Sequence, residues 1–289
     1  AELLRILHNH PQAEVVHITS ESHTGEPISA IYPHMRGVYE QKLMSMKDIG
    51  TIGADSDFVF IGLPHGHAMA VGKALADTTV RIIDLGADYR FQDTSIYEAW
   101  YKVPHIHKDA QRVYGLAELY REEIKDAKII GNAGCYTTAS ILALAPLAKN
   151  HLIDVETIVV DAKSGVSGAG RSAKLQNHFP EMYDNFKAYN VGGHRHTPEI
   201  EQAVTDLSGE PCVLSFTPHL VPMSRGILST CYAKLKAGVK PEMVDAAYEK
   251  MYGKEYFVRL LGRGGYPSTK EVRGSNFCDL GWHVDARTG

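Results

Sequence analysis

Three short apolar runs in the first half of the chain constrain the fold most: residues 57–63 (DFVFIGL), 79–85 (TVRIIDL) and 128–131 (KIIG). Each has strand length and strand composition, and the first passes through Pro64-His65-Gly66-His67 into a helical stretch over 68–76. Strands alternating with helices imply βαβ units, because a parallel neighbour can be reached only by a crossover long enough to hold a helix. The N-terminal half is therefore expected to be α/β around a parallel sheet. A helix over 1–10, closed by Pro11, and a short β-rich run over 14–19 precede the first of the three strands.

Beyond about residue 150 the strand-like runs are longer and closer together, at 157–162, 212–217, 227–235, 257–261 and 277–284. Only a few helices are interspersed, among them one over 241–252. This pattern predicts an α+β second domain with a mostly antiparallel sheet, so the expected domains are 1–134 and 135–289. The 30 basic and 34 acidic residues give a net charge of -4, which speaks against a nucleic-acid partner. No apolar run reaches the roughly 18–20 residues of a membrane span, and the opening helical pattern predicts no signal peptide. Cys135, Cys212, Cys231 and Cys278 form no CxxC pair, which points away from disulfides and thiolate zinc sites and toward a reducing cytosol.

Residues 129–140 (IIGNAGCYTTAS) place Cys135 where a strand turns into a helix, which the pattern ends near Pro146. A helix N-terminus offers free N–H groups and partial positive charge, which favour a thiolate and can hold an oxyanion. Position alone leaves two readings, a nucleophile or a packed core cysteine; the other three cysteines read as core. A nucleophile needs an acid or base nearby. The densest polar cluster, residues 192–199 (GGHRHTPE), offers His194 and His196 for proton exchange and Arg195 for an anionic substrate.

Residues 163–171 (KSGVSGAGR) set small residues and hydroxyls between two cations, a loop suited to phosphate or carboxylate. In residues 216–226 (FTPHLVPMSRG), two prolines stiffen the backbone that presents Arg225 just before a strand. Three His-x-His pairs, His65/His67, His105/His107 and His194/His196, raise a metal-dependent hydrolase as a reading from another class. Pro, Gly or helix-like context surrounds each pair, no matching carboxylate stands out, and no metal is expected.

Five stretches taken together resemble the N-acetyl-γ-glutamyl-phosphate reductases of arginine biosynthesis. They are residues 21–37 (ESHTGEPISAIYPHMRG), 82–91 (IIDLGADYRF), 129–147 (IIGNAGCYTTASILALAPL), the pair 163–171 and 193–200 (GHRHTPEI), and 216–228 (FTPHLVPMSRGIL). The resemblance implies a Rossmann-like NADP-binding domain followed by a catalytic and oligomerisation domain, assembled as a homo-oligomer in the cytoplasm. It implies that Cys135 attacks an acyl phosphate to form a thioester, which NADPH reduces to the semialdehyde. His194 or His196 would be the acid/base group. Arg195, Glu199, Arg225 and Asn132 would bind the substrate.

For the cofactor, the resemblance implies contacts from Ser20 and Ser22, from Pro64 and His65 near the nicotinamide half, and from Ser164 and Gly165 near the cysteine. Small hydroxyl residues after the second strand leave room for a 2′-phosphate, whereas Glu21 keeps NAD open. Aspartate-semialdehyde dehydrogenase is the nearest alternative. Three departures stand out. Ala133 replaces a more usual proline, no GxGxxG precedes Ala1, and the chain ends before a C-terminal strand and helix. The first strand with its Gly-rich loop, and those C-terminal elements, are thus expected to be missing.

Overall fold

The three short apolar runs form most of a four-stranded, all-parallel sheet in order β1-β2-β4-β3. The computed structural model describes residues 1–170 and 172–289, and the chain divides into two units. The first comprises residues 1–98, 102–115 and 122–132; the second comprises 99–101, 116–121 and 133–289.

In the N-terminal half, α1 (Glu2–His8), α2 (Ile28–Ile31) and α3 (Ile49–Ala54) precede β1 (Phe58–Ile61). Then follow α4 (Ala68–Ala74), β2 (Arg81–Asp84), α5 (Thr94–Tyr101), β3 (Val113–Gly115), α6 (Ala117–Asp126) and β4 (Ile129–Asn132). The β-branched residues Val80, Ile82, Ile129 and Ile130 are all buried, as strands flanked on both sides require. At the sheet's edge, β1 leaves Phe58 half exposed under the Arg81 guanidinium, which lies 5.3 Å from the ring centroid.

The β-rich run 14–19 is no strand: only Thr19 pairs, through an isolated parallel bridge to Met44. Val15 and Ile18 instead pack on a small cluster of Leu4, Ile28, Met35, Tyr39 and Leu43. Their apolar character serves that local core rather than a ladder. Gly131 is dictated by packing, because a Cβ there would stand 2.2 Å from the Tyr89 carbonyl oxygen.

Asp84, at the carboxyl end of β2, is fully buried. Burial pushes its carboxyl up to about 6, reinforced by Asp88 and opposed by the Gly86 N–H, Arg90 and the Tyr89 N–H. A carboxyl whose pKa rises on folding stabilises the fold fully below about pH 4, its unfolded value, and loses that contribution as pH climbs through about 6. Asp84→Asn should therefore gain on the wild type by up to about 3 kcal/mol between pH 4 and pH 8. Paired denaturant titrations at the two pH values check this; a constant difference would contradict it.

The second unit begins with α7 (Cys135–Lys149), β5 (Ile153–Ser164), α8 (Phe179–Met182), β6 (Lys187–Ala188), α9 (Thr197–Ser208) and β7 (Ser215–Leu220). It ends with β8 (Ile227–Leu235), α10 (Pro241–Tyr252), β9 (Val258–Arg263) and β10 (Cys278–Trp282). Its larger sheet has the order β6-β7-β5-β8, with β6–β7 and β5–β8 antiparallel and β5–β7 parallel. The parallel pairing follows from the long connection through α8 and α9, which returns the chain in the same sense. β9 and β10 form a separate parallel pair.

Ile158, Val160, Ala162, Phe216 and Leu220 are buried, as are Ile141, Leu144 and Ala145 of α7 and Ile200, Ala203 and Val204 of α9. The sequence pattern ends the helix near Pro146, yet α7 continues to Lys149. Proline withholds the N–H that would bond the Leu142 carbonyl one turn back. That carbonyl instead accepts from the Tyr252 hydroxyl at 2.9 Å, and the Ala143 carbonyl from Tyr248 at 2.7 Å. Two tyrosines of α10 thus supply hydrogen bonds along the stretch the proline disrupts.

Candidate active site

Cys135 is the first residue of α7 and is exposed to solvent. Its N-cap is Gly134, in extended conformation at φ -70° and ψ 161°, with no side chain to occupy the first N–H groups. A fifteen-residue helix therefore turns its positive end toward the sulfur. Cys212, by contrast, is buried, and burial pushes the thiols of Cys212, Cys231 and Cys278 each up to about 11. Of the four, Cys135 alone is exposed.

The turn before Cys135 is held from α9. Glu199 is fully buried, and its Oε1 accepts from the Gly134 N–H and lies 2.8 Å from both that nitrogen and Thr137 Oγ1. The sequence reading expects Glu199 to orient an anionic group. The two bonds tie the side chain to the Gly134 turn. Pro198 opens α9 near its N-terminus, where its missing N–H is no loss.

His194 lies just ahead of α9 and is largely enclosed. Its ring meets Tyr136 edge-on at 5.6 Å between centroids, Tyr189 at 5.7 Å, Phe216 at 5.2 Å and His196 at 4.8 Å. Burial, with help from His196 and Arg195, pushes His194 down to about 4, against the opposing pull of Glu199. The His196 backbone N–H donates to His194 Nδ1 at 3.1 Å. Arg195 is exposed, its guanidinium 5.0 Å from the Tyr101 ring centroid.

Ser164 is buried at the end of β5, with Oγ donating to the Gly165 carbonyl at 3.0 Å. Gly165 packs against the loop that carries Arg225: a Cβ would stand 2.8 Å from the Ser224 carbonyl oxygen. Backbone bonds from Gly165, Val166 and Ser167 to Gly226, Met223 and Ser224 lock the two loops together. Gly165 is thereby needed for loop docking, while the exposed Arg225 is set on a fixed backbone. Arg171, the second cation expected at this loop, lies outside the described residues.

In the first unit, the Glu21 carboxylate accepts from the Met46 N–H at 2.5 Å and from Ser45 Oγ at 3.2 Å. Ser20 and Ser22 then carry the hydroxyls at this turn, 3.5 Å apart. An engaged glutamate and two adjacent hydroxyls fit a 2′-phosphate better than a bare ribose diol. Pro64 and His65 are exposed on the turn after β1. Asp88, nearly fully buried, fixes that turn by accepting from the Gly66 N–H at 2.9 Å and the Ala68 N–H at 3.0 Å. Gly66 reaches φ +88°, a left-handed conformation that favours glycine. Asn132 closes β4, its carbonyl accepting from Arg90 Nε at 2.7 Å.

The His105/His107 pair is otherwise employed. His105 Nδ1 accepts from the His107 N–H at 3.3 Å, so Nε2–H donates to the Asp88 carbonyl at 2.8 Å, and His107 Nδ1 meets the Tyr89 hydroxyl at 2.8 Å. Among the described residues, no three His, Cys, Asp or Glu side chains group as a metal site. The sequence reading missed Asp88, Thr137, Tyr136 and Tyr189. Asp88 stands inside the 82–91 motif and Tyr136 beside the cysteine, but nothing local says what either touches.

Residues 1–127 match the semialdehyde dehydrogenase NAD binding domain and residues 135–289 the semialdehyde dehydrogenase dimerisation domain. The N-acetyl-gamma-glutamyl-phosphate reductase of Desulforamulus reducens is 49% identical over 290 residues, covering 100% of this chain and 84% of the relative. That of Syntrophobacter fumaroxidans is 51% identical over 295 residues, covering 100% and 83%. That of Geobacter metallireducens is 50% identical over 291 residues, covering 100% and 84%.

Among solved structures, aspartate semialdehyde dehydrogenase II of Vibrio cholerae superposes with a TM-score of 0.67 at 16% identity, covering 97% of this chain and 83% of that one. The Candida albicans aspartate semialdehyde dehydrogenase with NADP gives a TM-score of 0.67 at 14% identity, covering 96% and 84%. These two establish the fold, and the sequence relatives establish more: the chain belongs to the N-acetyl-gamma-glutamyl-phosphate reductase family of the semialdehyde dehydrogenases.

Proposed function

We propose that the protein is an NADPH-dependent reductase of N-acetyl-γ-glutamyl phosphate, yielding N-acetyl-glutamate semialdehyde and phosphate in arginine biosynthesis. The carrying observation is Cys135 exposed at the uncapped start of α7, with the preceding turn fixed by Glu199. The Cys135 thiolate attacks the acyl carbon, the C–O bond to phosphate breaks, and inorganic phosphate leaves behind a thioester. The first N–H groups of α7 are placed to hold the oxyanion of that addition. NADPH, when bound, supplies the hydride that reduces the thioester carbon. Collapse then re-forms the C=O bond, expels the sulfur as thiolate and releases the aldehyde.

His194 is the better of the two histidine candidates, since its ring is packed by Tyr136, the residue next to Cys135 in sequence, together with Tyr189 and Phe216. Arg195 and Arg225 are exposed cations that would meet the substrate's carboxylate and phosphate, and Asn132 is assigned to the same substrate. Ser20 and Ser22 would hold the 2′-phosphate, with Pro64 and His65 bordering the nicotinamide half. Ser164 shapes the wall near Cys135, and Gly165 acts through the loop contact with Arg225.

On this reading residues 1–134 are the dinucleotide-binding domain and 135–289 the catalytic and oligomerisation domain of a cytoplasmic homo-oligomer. The sheet face bearing Val159, Leu228 and Tyr232 is exposed and supports burial against a second copy. Among the described residues no helix is long and apolar enough to cross a membrane.

The test is a comparison of substrates in the reverse direction. Purified protein with phosphate and NADP should oxidise N-acetyl-glutamate semialdehyde with a kcat/KM at least about a hundredfold above that for aspartate semialdehyde. Preference for the shorter aldehyde would instead support the aspartate-semialdehyde alternative.

A further inference from the structure

His194 is half-buried, its ring packed by Tyr136, Tyr189, Phe216 and His196. From α7, Tyr136 presents its ring edge-on, at 5.6 Å and an interplanar angle of 89°. Tyr189 does the same from the other side, at 5.7 Å and 74°. Phe216 of β7 closes a third side at 5.2 Å. The charged and titratable neighbours are Arg195 and His196 just before α9, Glu199 in its first turn, and Tyr136 and Tyr189 themselves, on both of which the Cys135 thiol acts in turn.

The two tyrosines are themselves pinned. Tyr189 donates its hydroxyl to Tyr136 Oη at 3.0 Å, and Tyr136 donates to the His219 carbonyl at 3.2 Å. Neither ring can swing without breaking this chain of bonds. His194 Nδ1 accepts from the His196 N–H, so a neutral ring must carry its proton on Nε2. A second proton on Nδ1 would face that N–H head-on.

We propose that Tyr136 and Tyr189 are positioning residues that hold His194 as a neutral imidazole with its proton on Nε2. This deepens the reductase reading and rests on it for its role in turnover. In that form the ring offers a hydrogen bond to the substrate's carbonyl oxygen as negative charge gathers there, without first changing its protonation. His196 contributes through its backbone N–H, which selects the tautomer. This divides the labour between the two histidines of the GHRHTPEI stretch.

The experiment is long-range ¹H–¹⁵N NMR of the histidine rings, with His194 assigned by its loss in His194→Gln. The wild type should show the Nε2–H tautomer with no titration between pH 5.5 and pH 8.5. Tyr189→Ala and Tyr136→Leu open the enclosure and should bring the midpoint up toward the ordinary histidine value of about 6.5. Tyr189→Phe keeps the ring and should leave the midpoint low. In turnover, the two opening variants should lower kcat about tenfold or more with KM little changed, and Tyr189→Phe should restore most of it.

A wild-type His194 that titrates in the ordinary range, or carries its proton on Nδ1, overturns the proposal without reference to any variant. An opening variant whose titration stays low overturns the assignment of that tyrosine. Failure of the reductase reading is told apart by activity that survives loss of the Cys135 thiol, a result that leaves the NMR outcome untouched.

Discussion

Cys135→Ser should lower the phosphate-dependent reduction of NADP by the semialdehyde by at least about a thousandfold. An alcohol is a far weaker nucleophile than a thiolate, and the helix start that stabilises negative charge on sulfur cannot ionise a serine hydroxyl at neutral pH. His194 cannot substitute as a base: its Nδ1 is engaged by the His196 N–H, and the ring is pushed down to about 4. Stability should be almost untouched, within about 0.5 kcal/mol, because Cys135 is exposed and serine suits a helix start. Full activity in this variant would remove the thioester route, and with it the assigned function.

What could be read from sequence, and what could not, divides along the range of the interaction. Strand and helix positions depend on neighbours a few residues away, and the 227–235 and 241–252 runs coincide with β8 and α10. The Gly134–Cys135 turn is equally local, and the structure has it as the N-cap and first residue of α7. Pro146 misleads because the compensating donor, Tyr252, lies 110 residues along the chain from the Leu142 carbonyl that it serves. The 14–19 run misleads for a related reason, since its apolar residues answer to a cluster built from residues 4 to 43. Periodicity reports that Val15 and Ile18 are wanted indoors, but not that no strand lies beside them to pair with.

The site residues split in the same way. Cys135 and the histidine stretch announce themselves by type and crowding. The residues that orient them, Tyr136, Tyr189 and Thr137, are ordinary in type and gain meaning only from what they touch. Glu199 shows the cost of arguing from type alone. A glutamate beside two histidines and an arginine reads as a substrate contact, whereas burial and two short hydrogen bonds make it part of the scaffold beneath the nucleophile.

That difference yields the second large effect. Glu199→Ala should destabilise the second unit by about 2–4 kcal/mol, because it leaves the Gly134 N–H without its acceptor and opens a cavity. In a unit of this size that is a fall in melting temperature of roughly 5–12 °C. The Gly134 turn sets where α7 begins, so the sulfur loses its fixed position and kcat should drop about tenfold to a hundredfold. Glu199→Gln retains an Oε1 acceptor for the Gly134 N–H and should recover more than half of the lost stability. A glutamate that served the substrate would behave in the opposite way: removing it would raise KM and leave the melting temperature alone. Thermal denaturation of the three proteins beside their kcat and KM values separates the two cases, and an unchanged melt for Glu199→Ala would show that the turn before Cys135 holds without it.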